Sequence, residues 1–90
     1  MVIEQYAGFN LGKVFCSLEV KEVLNEASIP QDEILRFHQL SPTPELRAEH
    51  IRSLSEKDWI CSSFEMRQSG KTICIATDPQ QTSTNLYLEP

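Results

Sequence analysis

The chain has 90 residues, with 13 acidic and 8 basic side chains and a net charge of -5. That length holds one small core and no second one, and a hydrophobic content of 40% is enough to build it. The acidic balance disfavours a general nucleic-acid coat or a binder of anionic membranes. The apolar runs are too short to span a bilayer.

The N-terminal Met-Val-Ile-Glu-Gln-Tyr carries an early acid and no basic-then-apolar leader pattern, so the expected location is the cytoplasm. Cys16, Cys61 and Cys74 are three cysteines at irregular spacing. They form neither a disulfide framework nor a Cys-x-x-Cys pair, and read as free, buried thiols. No cofactor or metal site is expected.

Asn10 is a candidate N-cap for a first helix, with Leu11, Val14, Phe15 and Leu18 at helical spacing. Val20, Val23, Leu24 and Ala27 repeat the spacing. The second set is shifted by two residues, about 200° around a helix, so the stripes lie on opposite faces. Three readings follow: a helix sandwiched between two layers, a break near Cys16–Glu19, or one stripe serving as a partner surface.

Ser28 reads as the N-cap of a second helix, with Gln31 completing a capping box. Pro30, Asp32 and Glu33 suit its first turn. Ile34, Leu35, Phe37 and His38 share one side, and the helix should end near Leu40. Ser41-Pro42-Thr43-Pro44 stops it and starts another, with Thr43 as cap and Pro44 at the first helical position. Leu46, Ile51 and Leu54 give this third helix its stripe, with Arg47 and His50 in or beside it. Capping also accounts for the two Ser/Thr-Pro pairs without invoking phosphorylation.

From Trp59 the period changes to two. Ile60, Ser62, Phe64 and Met66 alternate with Cys61, Ser63, Glu65 and Arg67, and Ile73 and Ile75 alternate with Thr72, Cys74 and Ala76. A two-residue turn at Ser69-Gly70 pairs Met66 with Ile73 and Phe64 with Ile75, on one face. It sets Glu65 opposite Cys74, Arg67 opposite Thr72 and Cys61 opposite Asp78. Cys61 and Cys74 are then about 13 Å apart, too far for a disulfide. Trp59, at the helix–strand junction, is expected to anchor the core. Residues 79–90 read as a loosely attached tail or a third strand over Asn85–Leu88.

The expected fold is therefore α+β in one domain spanning 1–90. About three N-terminal helices precede an antiparallel hairpin, with a third C-terminal strand as an option. This order resembles that of winged-helix domains, by topology alone. Under that resemblance the region Thr43–Leu54 is the recognition helix. Arg47, His50, Arg52, Arg67 and Lys71 become the DNA candidates, in a dimer joined through the first helix.

Local chemistry is sparse. Ser69-Gly70-Lys71-Thr72 matches the end of a P-loop, but Glu65 stands where the motif needs glycine, and the context is strand–turn–strand. His38 and His50 lack ligand spacing to each other or to a cysteine. A thiol enzyme around Cys61 or Cys74 is the weakest reading.

Charge is more informative when divided. Residues 1–35 carry net -4, residues 36–71 net +1 and residues 72–90 net -2. Glu19, Glu22, Glu26, Asp32 and Glu33 concentrate the negative part. The leading expectation is a non-enzymatic protein-interaction module: an inhibitor, adaptor or accessory regulator for a partner protein with a basic surface. The acids steer, and Tyr6, Phe9 and Tyr87 anchor. Nucleic acid ranks below protein as a partner, and no membrane role is expected.

Overall fold

A computed structural model describes residues 8–90. The elements are β1 (Lys13–Cys16), α1 (Leu18–Glu26), α2 (Gln31–Leu40), α3 (Pro44–Glu56), β2 (Ile60–Glu65), β3 (Thr72–Thr77) and β4 (Ser83–Leu88). The class is α+β, with a four-stranded sheet in the order β1-β4-β3-β2. β1 pairs parallel with β4, and the other neighbours are antiparallel. A strand before the helices and a parallel pair are both departures from the helix–helix–helix–hairpin order.

The break near Cys16–Glu19 is the reading that holds for the first segment. Asn10 does not cap a helix, and its N–H donates to Gln81 Oε1. Gly12 takes φ +66° and lies so close to the β3–β4 turn that a Cβ there would overlap the Thr82 carbonyl. This approach lets the Lys13 N–H reach the Thr82 oxygen at 3.0 Å and starts β1. Val14 and Cys16 then face the core while Phe15 faces out. Ser17 is the true cap, accepting from the Val20 N–H at 3.2 Å. The second stripe, Val20, Val23 and Leu24, is buried on α1. Of the first stripe, Leu11, Val14 and Phe15 lie in and just before β1, while Leu18 opens α1 and is exposed.

Ser28 is not an N-cap. It sits in the left-handed region at φ 57°, closing α1. The Ile29 N–H bonds the Leu24 carbonyl and the Ser28 N–H bonds Asn25, the pattern of a Schellman stop. α2 begins behind Pro30 with no side-chain cap. α2 ends at Leu40, and Thr43 caps α3 through the Leu46 N–H, both as the sequence implied.

The hairpin register differs by two residues from the expected one. Phe64 faces Ile73 and Ser62 faces Ile75, while Glu65 faces Thr72. The cause is the turn: Met66 N–H bonds Lys71 O and Gly70 N–H bonds Met66 O, so residues 67–70 form the loop and Arg67 leaves the ladder. A slip of two preserves parity, so every side chain keeps its face. Cys61 now faces Ala76 and Cys74 faces Ser63. Cys16, Cys61 and Cys74 are all free thiols, but none is buried as expected: Cys61 is exposed and Cys16 and Cys74 are partly exposed, because Cys61 and Cys74 lie on the helix-free side of the sheet.

β4 is an interior strand, with Thr84 and Leu86 buried between β3 and β1. The core gathers Val20, Val23, Leu24, Ile34, Leu35, Met66, Ile73, Ile75 and Leu86 on the helix side of the sheet. No helix among the described residues is long and apolar enough to cross a membrane.

Candidate functional site

Two features stand out from this scaffold. One is a buried polar chain under the helices, and the other is the uncovered side of the sheet.

His38 on α2 and His50 on α3 are both fully buried. Their ring centroids are 5.2 Å apart, and Phe9 meets both edge-on, at 5.0 and 5.5 Å. Burial first, then the neighbouring His50, lowers the His38 pKa from 6.5 to about 3. Burial also lowers that of His50, against the opposing effects of the Cys61 carbonyl and Glu49. Both rings are neutral at pH 7.

Neutral rings make the hydrogen bonds directional. Thr84 Oγ1 donates to the Leu11 carbonyl at 2.6 Å, so Thr77 must donate to Thr84 at 2.8 Å. With its single proton spent, Thr77 accepts from His38 Nε2 at 3.0 Å. His38 Nδ1 is then an acceptor, and Ser62 donates to it at 2.6 Å. His50 Nε2 donates to the Cys61 carbonyl at 2.9 Å and leans toward Ser62 Oγ at 3.1 Å. His50 Nδ1 accepts from Ser41 at 2.5 Å, and the His38 carbonyl is a longer alternative for that hydroxyl at 3.3 Å.

One polarised chain therefore runs Ser41, His50, Ser62, His38, Thr77, Thr84, Leu11. It ties α2, α3, β2, β3, β4 and the segment before β1. It also covers an edge: the Cys61 carbonyl points away from β3, where an unpaired strand would invite another chain, and His50 occupies it. Each hydroxyl and ring nitrogen of the chain has a partner, and no buried side-chain polar atom among the described residues lacks one. The chain is a structural clasp.

The other side of the sheet has no helix over it. Alternation places Phe15, Asn85, Ala76 and Cys61 in one rung across β1, β4, β3 and β2. Phe15 is 51% exposed, Trp59 47% and Tyr87 44%. These aromatics, with Cys61, Ala76 and the Lys21 stem, bound a shallow cavity of about 990 Å³. Trp59 is therefore not the expected core anchor. It shares the outward parity of Cys61, beside the inward Ile60.

The charges around this face are uneven. Lys13 and Lys21 lie on the β1 side, while Asp58 and Glu65 lie on the β2 side. Burial and then Asp58 push the Cys61 thiol up. Burial and then Glu89 push Cys74 up, and burial, then the neighbouring Cys74 and Cys61 and last Glu89, raise Tyr87. Burial likewise raises Cys16, against Lys21. All three thiols favour the protonated, weakly nucleophilic form. No group of three or more His, Cys, Asp or Glu among the described residues is placed to hold a metal.

The residues singled out from sequence fall into three places. Glu19, Glu22 and Glu26 form one exposed stripe on α1, turned away from its buried Val20, Val23 and Leu24, and Asp32 and Glu33 are exposed in the first turn of α2. Tyr87 is on the open face, and Tyr6 lies outside the described residues. Phe9 is not an exposed anchor, since it is buried against the two histidines. The DNA candidates do not share a surface. His50 is buried and Arg47 Nε donates to the Ser41 carbonyl. Arg52 pairs with Glu56 at 2.8 Å and Glu49 at 3.7 Å. Arg67 and Lys71 flank the turn at the far end of β2.

Trp59 is the surface residue that its size and position conceal in the sequence, and Phe15 is exposed from a strand rather than from a helical stripe. Parity was the available signal, because Trp59 is two residues from Cys61. Comparison with protein-family models, with curated proteins and with solved structures finds no match to this chain.

Proposed function

We propose that this chain is a small, acidic, non-enzymatic protein-interaction module: an inhibitor, adaptor or accessory regulator. It acts by binding a partner protein and occluding or scaffolding it. The observation that carries the proposal is the helix-free sheet face with Phe15, Trp59 and Tyr87 half exposed around one cavity. Aromatic residues on a rigid platform are the usual energetic centre of a protein contact. Apolar faces of this kind on small domains mark interaction sites. Stacking of single-stranded nucleic acid also uses aromatic platforms, but it needs a basic groove, and Lys21 is the one cation in this lining. The acidic stripe on α1 adds steering toward a basic protein surface.

The test is capture of partner protein by the immobilised full chain, after nuclease treatment. Tyr87→Asp and Trp59→Ala should each weaken capture by roughly 30-fold, the size of a hot-spot loss. Charge reversal of Glu19, Glu22 and Glu26 should slow association at low salt and leave dissociation nearly unchanged. Capture undiminished by both aromatic substitutions, in variants with native circular dichroism, would overturn the proposal.

A further inference from the structure

We infer that a second copy of this chain covers the open face, the two sheets stacking about a two-fold axis that runs along the strands between β3 and β4. The inference rests on the reading of that face as a protein contact and names the protein that makes it.

Shape supports this axis. It lays β1 of one copy over β2 of the other, and β4 over β3, with rungs kept level. In the central rung, bulky Phe15 of one copy then lies over Cys61 of the other, and Asn85 over Ala76. In the next rung Tyr87 lies over Cys74, since these two are paired neighbours within one sheet. At the other end, Lys13 and Ser83 continue through Asp78 to Trp59, so Lys13 lies over the ring of Trp59. In the first two of these rungs the large side chains, Phe15 and Tyr87, stand on β1 and β4 and the small ones, Cys61, Cys74 and Ala76, on β2 and β3, while at the end rung the flat Trp59 ring on the β2 side meets the Lys13 stem. The face is self-complementary, as an isologous contact requires. Stacked sheets of this kind interdigitate at about 10 Å.

Charge selects the same axis. With the axis along the strands, Lys13 and Lys21 of one copy meet the Asp58–Glu65 side of the other. With the axis across the strands, lysines would face lysines and acids would face acids. Glu89, just past the end of β4 and beside Thr72 of its own sheet, then lies above Thr72 of the other copy. The stacked pair leaves both α1 acidic stripes outward, so the pair presents two identical acidic surfaces.

The test is the mass of the full chain by light scattering and sedimentation over a wide concentration range. The expected species at high concentration has twice the 10.3 kDa chain mass. Its formation should shift Trp59 emission to the blue as the ring is covered. Phe15→Asp and Tyr87→Asp, at exposed positions, should give monomers with native circular dichroism. Lys21→Glu or Glu65→Lys alone should weaken self-association about tenfold, and the double variant should restore most of it, as expected for a directly coupled pair. A monomer at every concentration, or a dimer that survives both aromatic substitutions, overturns the inference. If the chain is monomeric yet Tyr87→Asp still abolishes capture of another protein, the stacked pair is wrong and the interaction face stands. If Tyr87→Asp changes neither mass nor capture, both fail.

Discussion

His38→Leu is expected to lower unfolding stability by about 3 kcal/mol, because it takes one hydrogen bond from each of two buried hydroxyls. Leucine is close to histidine in volume, so cavity formation contributes little. The loss comes from Ser62, whose hydroxyl no longer has an acceptor, and from Thr77, which no longer receives a proton from His38 Nε2. The effect spreads because the chain is directional. Ser62 also receives from His50, and Thr77 passes its own proton to Thr84. For a domain of this size, 3 kcal/mol is about 30–60% of a total of roughly 5–10 kcal/mol. Urea denaturation at pH 7.5 measures it. A loss under about 1 kcal/mol, the cost of an ordinary exposed contact, would show that the clasp is not a connected unit.

Acid should remove comparable stability from the native chain. The pKa of His38 is about 3 when folded and 6.5 as an unperturbed group. Between those values the unfolded chain binds a proton that the folded chain refuses, so stability falls as pH falls. The contribution is whole above pH 6.5. It declines by about 1.4 kcal/mol per unit, reaching a loss of about 3 kcal/mol by pH 4.5. His50 acts in the same direction. It is the more tolerant ring, because the Ser41 hydroxyl can turn to the His38 carbonyl when Nδ1 gains a proton. His38 has no such outlet: a proton on Nδ1 opposes the Ser62 hydroxyl while His50 already donates to Ser62. Asp78, whose pKa is lowered chiefly by the Thr82 hydroxyl, adds to the decline only below the ordinary carboxylate range. The His38→Leu variant should therefore lose its deficit on acidification, its urea midpoint converging with that of the native chain near pH 4. A deficit that stays constant from pH 7.5 to pH 4 would refute the assignment of the titration to His38.

Much of this architecture is legible in the sequence, and its errors have physical causes. Thr43-Pro44, the end of α2 and the inward parity of Ile60, Phe64, Ile73 and Ile75 follow from capping chemistry and period-two alternation. β1 escapes because Leu11, Val14, Phe15 and Leu18 happen to fit a helical period. The tight Gly12 approach to Thr82 is made by residues about 70 apart, which no local pattern reveals. Ser28 escapes because a serine occupies the left-handed position where glycine is usual. The histidines read individually as partly buried and hydrogen-bonded. Their joining into one chain depends on bringing α2, α3 and three strands together. The candidate face was half visible. Trp59 shares the parity of Cys61, opposite to the inward Ile60, but the size of a tryptophan at a helix–strand junction favours a core reading, and so does the apolar character of the Cys61 thiol. The acidic stripe on α1 was fully readable from the spacing of Glu19, Glu22 and Glu26.

The interaction face is tested most directly by hydroxyl-radical footprinting of Phe15, Trp59 and Tyr87, comparing the dilute chain with its bound state. All three should lose reactivity together on binding, while Phe37 and Leu40, exposed on α2, keep theirs. Protection of Phe37 and Leu40 with Phe15, Trp59 and Tyr87 unchanged would contradict it.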